Sequence, residues 1–283
     1  MKKVLIWIVA FLITASAALY QRMTGPTHSL RGKTTLNETE IKFKLERDPE
    51  TTSDYETRIK VPNREITGTL LYKRHKTDDP WTKSPLTREE DYLAGSIPKQ
   101  PSSAKMEYKI FITSQGKEIS LTGDAPVIIR FKDPVPDVLL VPHIIIMFLA
   151  MLFSTRAGIE ALNPKGNPRK LALWTTGLLL VGGLILGPLV QKYAFGALWT
   201  GFPFGHDLTD NKMLIAMIGW IAALIAGRGG KPARWWVLGA SVLLMAIYLI
   251  PHSLLGSELD YSQVGASLPA QEIAKLDSPI KLN

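Results

Sequence analysis

Cysteine is absent from all 283 residues, which excludes disulfides, thiolate metal sites, covalent haem attachment through cysteine and cysteine nucleophiles. Any part of the chain outside the cytoplasm must then be held together by its own apolar core. Histidine is scarce, at five residues, and no pair has the short fixed spacing of a strong metal motif such as His-Glu-x-x-His. Nucleophile and phosphate-loop patterns are missing as well. Charge is missing locally: the runs Val138 to Phe153, Leu171 to Val190, Met213 to Gly227 and Trp235 to Ile250 contain no Asp, Glu, Lys or Arg.

Uncharged apolar runs of roughly 15 to 20 residues, against the ~20 that cross hydrocarbon, are rare in the core helices of soluble proteins. They predict four spanning helices, two of which borrow flanking residues. A fifth apolar run, Val4 to Tyr20, follows Met-Lys-Lys and contains Ala15-Ser16-Ala17. It reads as an uncleaved anchor, and it also fits a secretory signal with a small-residue cleavage site.

Lys and Arg collect in the cytoplasmic segments beside spans. Residues 154 to 170 carry Arg156, Lys165, Arg169 and Lys170 against Glu160, and the segment before the last run carries Arg228, Lys231 and Arg234. With Lys2 and Lys3, these segments hold nine positive charges and one negative, which equals the net +8 of the whole chain. Residues 21 to 136 hold 20 basic and 17 acidic residues and the remaining outer pieces hold 4 and 7, so outside charge cancels. The basic balance is a topology signal, and a nucleic-acid partner loses the support that a high pI would lend it.

The expected fold class is mixed: an extracytoplasmic all-β sandwich inserted between an N-terminal transmembrane segment and a four-span α-helical membrane bundle. Residues 1-22 form the anchor or signal, 23-136 the outer domain, 137-252 the bundle and 253-283 an outer tail. The expected location is the bacterial inner membrane, with the amino terminus inside and the large domain and carboxyl-terminal tail periplasmic.

Between Thr24 and Pro136 the pattern changes to short alternating runs separated by Pro, Gly, Asn and Asp, the sequence habit of an antiparallel sandwich. Predicted strands are Ile41 to Glu46, Glu65 to Tyr72, Leu93 to Ile97, Met106 to Thr113, Glu118 to Leu121 and Val127 to Phe131, with Ser114-Gln115-Gly116-Lys117 closing a hairpin. In the run starting at Met106 the even positions are apolar, so Glu107 and Lys109 are expected to face outward. The runs GTLLYKR, DPWTKSPLT and YLAGSIPKQPSSAKMEYKIFI resemble the central strands of immunoglobulin-like or fibronectin-III-like sandwiches. The resemblance covers residues 66 to 131 and implies a fold, while such folds host adhesion, carbohydrate binding and pure spacing alike. It implies that Trp81 is a buried core element rather than part of a sugar platform with Tyr92. His75, in a charge-rich turn, is expected to be solvated surface, and His28 has no partner pattern. Asp133-Pro134-Val135-Pro136-Asp137 predicts a stiff connector that holds the domain close to the bundle.

In the bundle, Gly183 and Gly187 make a Gly-x-x-x-Gly pair that lets helices approach closely, whether within the bundle or toward a partner protein. Pro188 predicts a kink. Tyr193 to Lys212 is aromatic and glycine-rich, suited to headgroup depth, with Asp210 or Asn211 as the cap of the next helix. The charge-based topology places His143, His206 and His252 at one outer layer. With Asp207, Asp210, Glu258 and Asp260 nearby in sequence, they supply donors for a first-row transition metal, or His143 and His252 for a b-type haem. The plainer reading of each is a polar residue at headgroup depth, a loop hydrogen-bond pair or a solvated tail. The expected function is an accessory, assembly or scaffolding component that engages membrane or periplasmic proteins. A metal- or haem-binding redox component is the alternative, and secondary transport is disfavoured by spans with no ionisable group at mid-membrane.

Overall fold

The computed structural model describes residues 2–231, 233–251, 256 and 258–261. The chain divides into two units, Met1–Pro26 with Val135–Ser257, and Thr27–Pro134 with Glu258–Asn283. It therefore passes between the units three times.

The first unit is helical. Its elements are α1 (Lys2–Thr24), α2 (Asp137–Leu162), α3 (Arg169–Leu179), which continues through a π-helical segment (Leu180–Leu186) into α4 (Gly187–Phe195), then α5 (Leu208–Ala226) and α6 (Arg234–Leu249). Among the described residues these make five rods, and four of them, Lys3–Thr24, Asp137–Leu162, Arg169–Phe195 and Leu208–Ala226, are long and apolar enough to cross a membrane. The fifth, α6, has 16 residues and rises about 24 Å, short of the ~30 Å of hydrocarbon.

Consecutive rods run antiparallel, as their end contacts show. The Arg169 guanidinium donates to the Gly227 carbonyl, joining the start of α3 to the end of α5. Small residues set the spacing between rods. Ser241 of α6 donates to the Ser154 carbonyl of α2 at 2.8 Å, and Gly158 leaves room for that side chain. Thr14 of α1 donates to Thr155 of α2 at 3.3 Å, and Trp7 meets Phe153 edge-on with ring centroids 5.3 Å apart. Trp220, fully buried, centres an apolar cluster with Met151, Leu179, Met217 and Leu244.

Just before Pro188, where a kink is expected, the rod contains the π-helical segment. Proline lacks the N–H that the carbonyl four residues earlier needs, and the helix widens just before it, with Gly187 N–H bonding Gly182 O. Gly182 and Gly183 lie inside the wide turn. A methyl group at Gly182 would press on Ile146 and Met147 of α2, and one at Gly183 on Met213 of α5. Gly183 thus packs within this unit.

The second unit is built from β1 (Leu30–Leu36), β2 (Thr39–Leu45), β3 (Tyr55–Lys60), β4 (Thr67–Arg74), β5 (Thr82–Pro85), β6 (Thr87–Glu89), β7 (Tyr92–Ile97), β8 (Lys105–Ser114), β9 (Lys117–Ser120) and β10 (Val127–Arg130). All ladders are antiparallel: β10-β8-β4-β5 with β9 also on β8, β3-β7-β6, and the hairpin β1-β2. β9 and β10 share one edge of β8, pairing with its second and first halves. Leu36, Ile41, Ile59, Leu70, Leu93, Tyr108 and Ile129 join one apolar core, an arrangement compatible with a β-sandwich.

The predicted β8-β9 hairpin forms, with Gln115 and Gly116 at φ 50° and 77°, the paired positive values of a tight two-residue turn. Along β8 the even residues from Met106 to Ile112 are buried, and Glu107 and Lys109 lie partly exposed between them. Trp81 departs from expectation. It is 37 % exposed, with the Lys73 ammonium 5.5 Å above its ring, and Tyr108 with Tyr55 supplies the aromatic centre of the core instead. His75 departs too: Glu107 holds its Nδ1 at 2.7 Å in a half-buried pair.

Candidate functional site

His143 follows Pro142 in the second turn of α2. Its Nδ1 lies 2.9 Å from the Gly182 carbonyl, and because a carbonyl only accepts, Nδ1 carries the proton. Gly187 stands beside the ring, where a methyl group would come 3.7 Å from His143 Cε1. The imidazole thus fastens α2 to the π-helical turn.

The segment from Tyr193 to Lys212 folds over the start of α5. Asp207, not Asp210 or Asn211, is the cap: its carboxylate accepts from Thr209 N at 2.8 Å and Asp210 N at 3.4 Å. Position 207 wins because the helix begins at Leu208, which places Asp207 where a side-chain oxygen meets the free N–H groups of the first turn. Asp210 is 5 % exposed and accepts from Thr200 N at 2.6 Å, Gln191 Nε2 at 3.2 Å and Thr200 Oγ1 at 3.4 Å. Asn211 Oδ1 accepts from Phe202 N at 2.7 Å. His206 is exposed, with no hydrogen-bond partner among the described residues.

Lys212 was not singled out by its sequence context. It is 5 % exposed, and its ammonium donates to the carbonyls of Ile250 at 3.0 Å and Pro251 at 3.3 Å. A cation at the carboxyl end of α6 meets the negative end of the helix dipole and satisfies carbonyls that lack helical donors. The available signal was a Lys placed directly before an uncharged apolar run, with Gln191 as the matching amide at the end of the previous rod.

Glu258 belongs to the other unit. It lies between Lys76 and Lys105, with its carboxylate 2.7 Å from the Lys105 ammonium. Partial burial opposes its charge, but the hydrogen bonds and charges of the two lysines outweigh that and hold its pKa at about 2. The expected solvated tail is here a docked segment: Leu259 and Tyr261 are buried, and only Asp260 is exposed.

His143, Asp207 and Asp210 each serve a separate structural contact, His206 faces outward, Glu258 pairs with lysines of the β unit, and His252 lies outside the described residues. Among the described residues, no three His, Asp or Glu side chains group as a metal ion requires. What the arrangement does chemically is tie helix ends together. Compared with protein-family models, curated proteins and solved structures, the chain has no match.

Proposed function

We propose that this chain is a bacterial inner-membrane accessory, assembly or scaffolding protein. In this reading the helical unit anchors it, and an immunoglobulin-like β unit on the periplasmic side engages partner proteins. The observation that carries the reading is the fate of the polar groups near the helix ends. Imidazole, carboxylates and ammonium are consumed by caps and carbonyls, as in a framework rather than a reactive centre. The antiparallel sheets around one core support the immunoglobulin-like assignment. The concentration of nine positive charges against one in the segments at one end of the rods supports the orientation.

Two experiments test it. Solubilised in mild detergent, the tagged protein should co-purify with a defined membrane or periplasmic protein; a clean monomer whose deletion leaves every membrane complex intact refutes the role. Because the chain has no native cysteine, Lys117→Cys and Lys165→Cys provide a clean topology test with an impermeant maleimide. Lys117→Cys should label in cells with a permeabilised outer membrane, and Lys165→Cys only after lysis; the reverse pattern inverts the topology.

A further inference from the structure

Glu258 to Tyr261 lie in a prepared seat on the β unit. Burial of Leu259 and Tyr261 with exposure of Asp260 between them is the period of an extended chain on a surface. Glu258 sits between Lys76 and Lys105. Leu259 N–H donates to the Ser103 carbonyl at 3.1 Å, the Tyr261 hydroxyl donates to the Lys105 carbonyl at 2.8 Å, and the Arg74 guanidinium stands 5.2 Å from the Tyr261 ring centre.

The seat is rigid. Arg74, 5 % exposed, is gripped by both oxygens of Asp79 at 2.5 and 2.7 Å. Ser103 is fully buried at φ 68°, a left-handed conformation that a non-glycine residue keeps only where its surroundings impose it, and its hydroxyl has no hydrogen-bond partner among the described residues. Two lysines and an arginine face a segment that carries two carboxylates.

We propose that this seat is a receptor for a short extended segment with an acidic residue, an aliphatic one and an aromatic one at the first, second and fourth places. The chain fills it with its own Glu258–Tyr261 as a strap, and a partner protein bearing the same chemistry takes it when the strap is displaced. The partner half of this statement rests on the accessory role proposed above. Extended segments are recognised in this way elsewhere, by main-chain hydrogen bonds for affinity and alternate side chains for specificity. A tethered strap acts at an effective concentration on the order of millimolar, so a free segment with the same contacts competes poorly until the tether is cut.

The test uses the full-length protein in detergent, with a protease site placed at Ser257, and a fluorescein-labelled peptide, Gly-Ser-Glu-Leu-Asp-Tyr-Ser. After cleavage and a high-salt wash, the protein should bind the peptide at least tenfold more tightly than the uncut protein. Lys105→Glu in the protein, or Lys in place of Glu in the peptide, should abolish that gain. Equal binding before and after cleavage, or equal binding of a scrambled peptide, overturns the proposal. A second measurement needs no empty seat: a hundredfold excess of peptide present during cleavage should release the fragment that begins at Glu258, read by mass spectrometry, and its retention overturns the proposal. Neither measurement involves a partner, so their failure is distinct from a failure of co-purification.

Discussion

His143 Nδ1 and the carbonyl oxygen of Gly182 stand 2.9 Å apart, and the same oxygen accepts the Gly187 N–H across the π-helical turn. One acceptor serves two donors from two rods, so α2 and the wide turn are fixed by a single atom. His143→Ala should remove about 1 kcal/mol, the scale of inter-helix hydrogen bonds in membranes, and lower the melting temperature in detergent by roughly 2–4 °C. Its metal content and visible spectrum should equal those of the unmodified protein; loss of a bound metal or haem on substitution instead revives the redox alternative.

Glycines of the helical unit divide by what surrounds them. Gly183→Leu drives a side chain into Met213 and should cost about 1–3 kcal/mol, the range for overpacking a filled core. Gly177→Ala and Gly239→Ala meet nothing within 4 Å, and should be neutral or stabilise by up to about 1 kcal/mol through helix propensity. Thermal stability in detergent separates the two classes, and a destabilised Gly177→Ala points to a close neighbour outside this chain.

Arg74 is a fork rather than a charge. Asp79 holds two of its nitrogens, at 2.5 and 2.7 Å, and hydrogen bonding to Asp79 raises the pKa of Arg74 while that of Asp79 is lowered. Arg74→Ala should destabilise by about 2 kcal/mol, below the full cost of breaking a buried pair because Asp79 keeps some solvent. Arg74→Lys should recover only part of this, since an ammonium cannot make the two parallel bonds. Denaturation followed by far-UV circular dichroism measures both.

Glu258 sets an acid limit. Its pKa in the folded protein is about 2, below the ordinary glutamate value of 4.5. A depressed carboxylate contributes stability fully above the ordinary value, and that contribution fades as pH falls through the folded one. The melting-temperature difference between the native chain and Glu258→Gln should therefore be constant from pH 8 to about pH 5 and shrink toward pH 2. A difference that changes between pH 6 and 8 instead implicates another group.

Six of the ten described strands were legible in sequence, since each carries Ile, Leu, Val, Phe or Tyr in a short run bounded by turn or charged residues. β3 was hidden although its burial alternates strictly, because one of its three inward positions is Thr57, 3 % exposed, and its outward positions are charged. β1 has apolar residues only at its two ends, and its existence follows from the seven-residue register with β2. β5 and β6 are short, and Pro85 gives β5 the composition of an edge.

The long apolar helices were legible because an uncharged run needs no partner to be recognised. The helix-end contacts were not. Which donor reaches Asp210 or the end of α6 depends on how far each rod is rotated, and the π-helical turn shifts that rotation between Leu179 and Gly187 without a periodic mark.

The order of synthesis gives the docked strap a temporal meaning. β10 ends at Arg130, yet Leu259 and Tyr261, which are buried on the same unit, follow α6. At ~5–20 residues per second, the roughly 130 intervening residues take about 7 to 26 s. For that interval the β unit has all ten of its strands while Lys76, Lys105 and the Ser103 carbonyl wait for the segment that engages them.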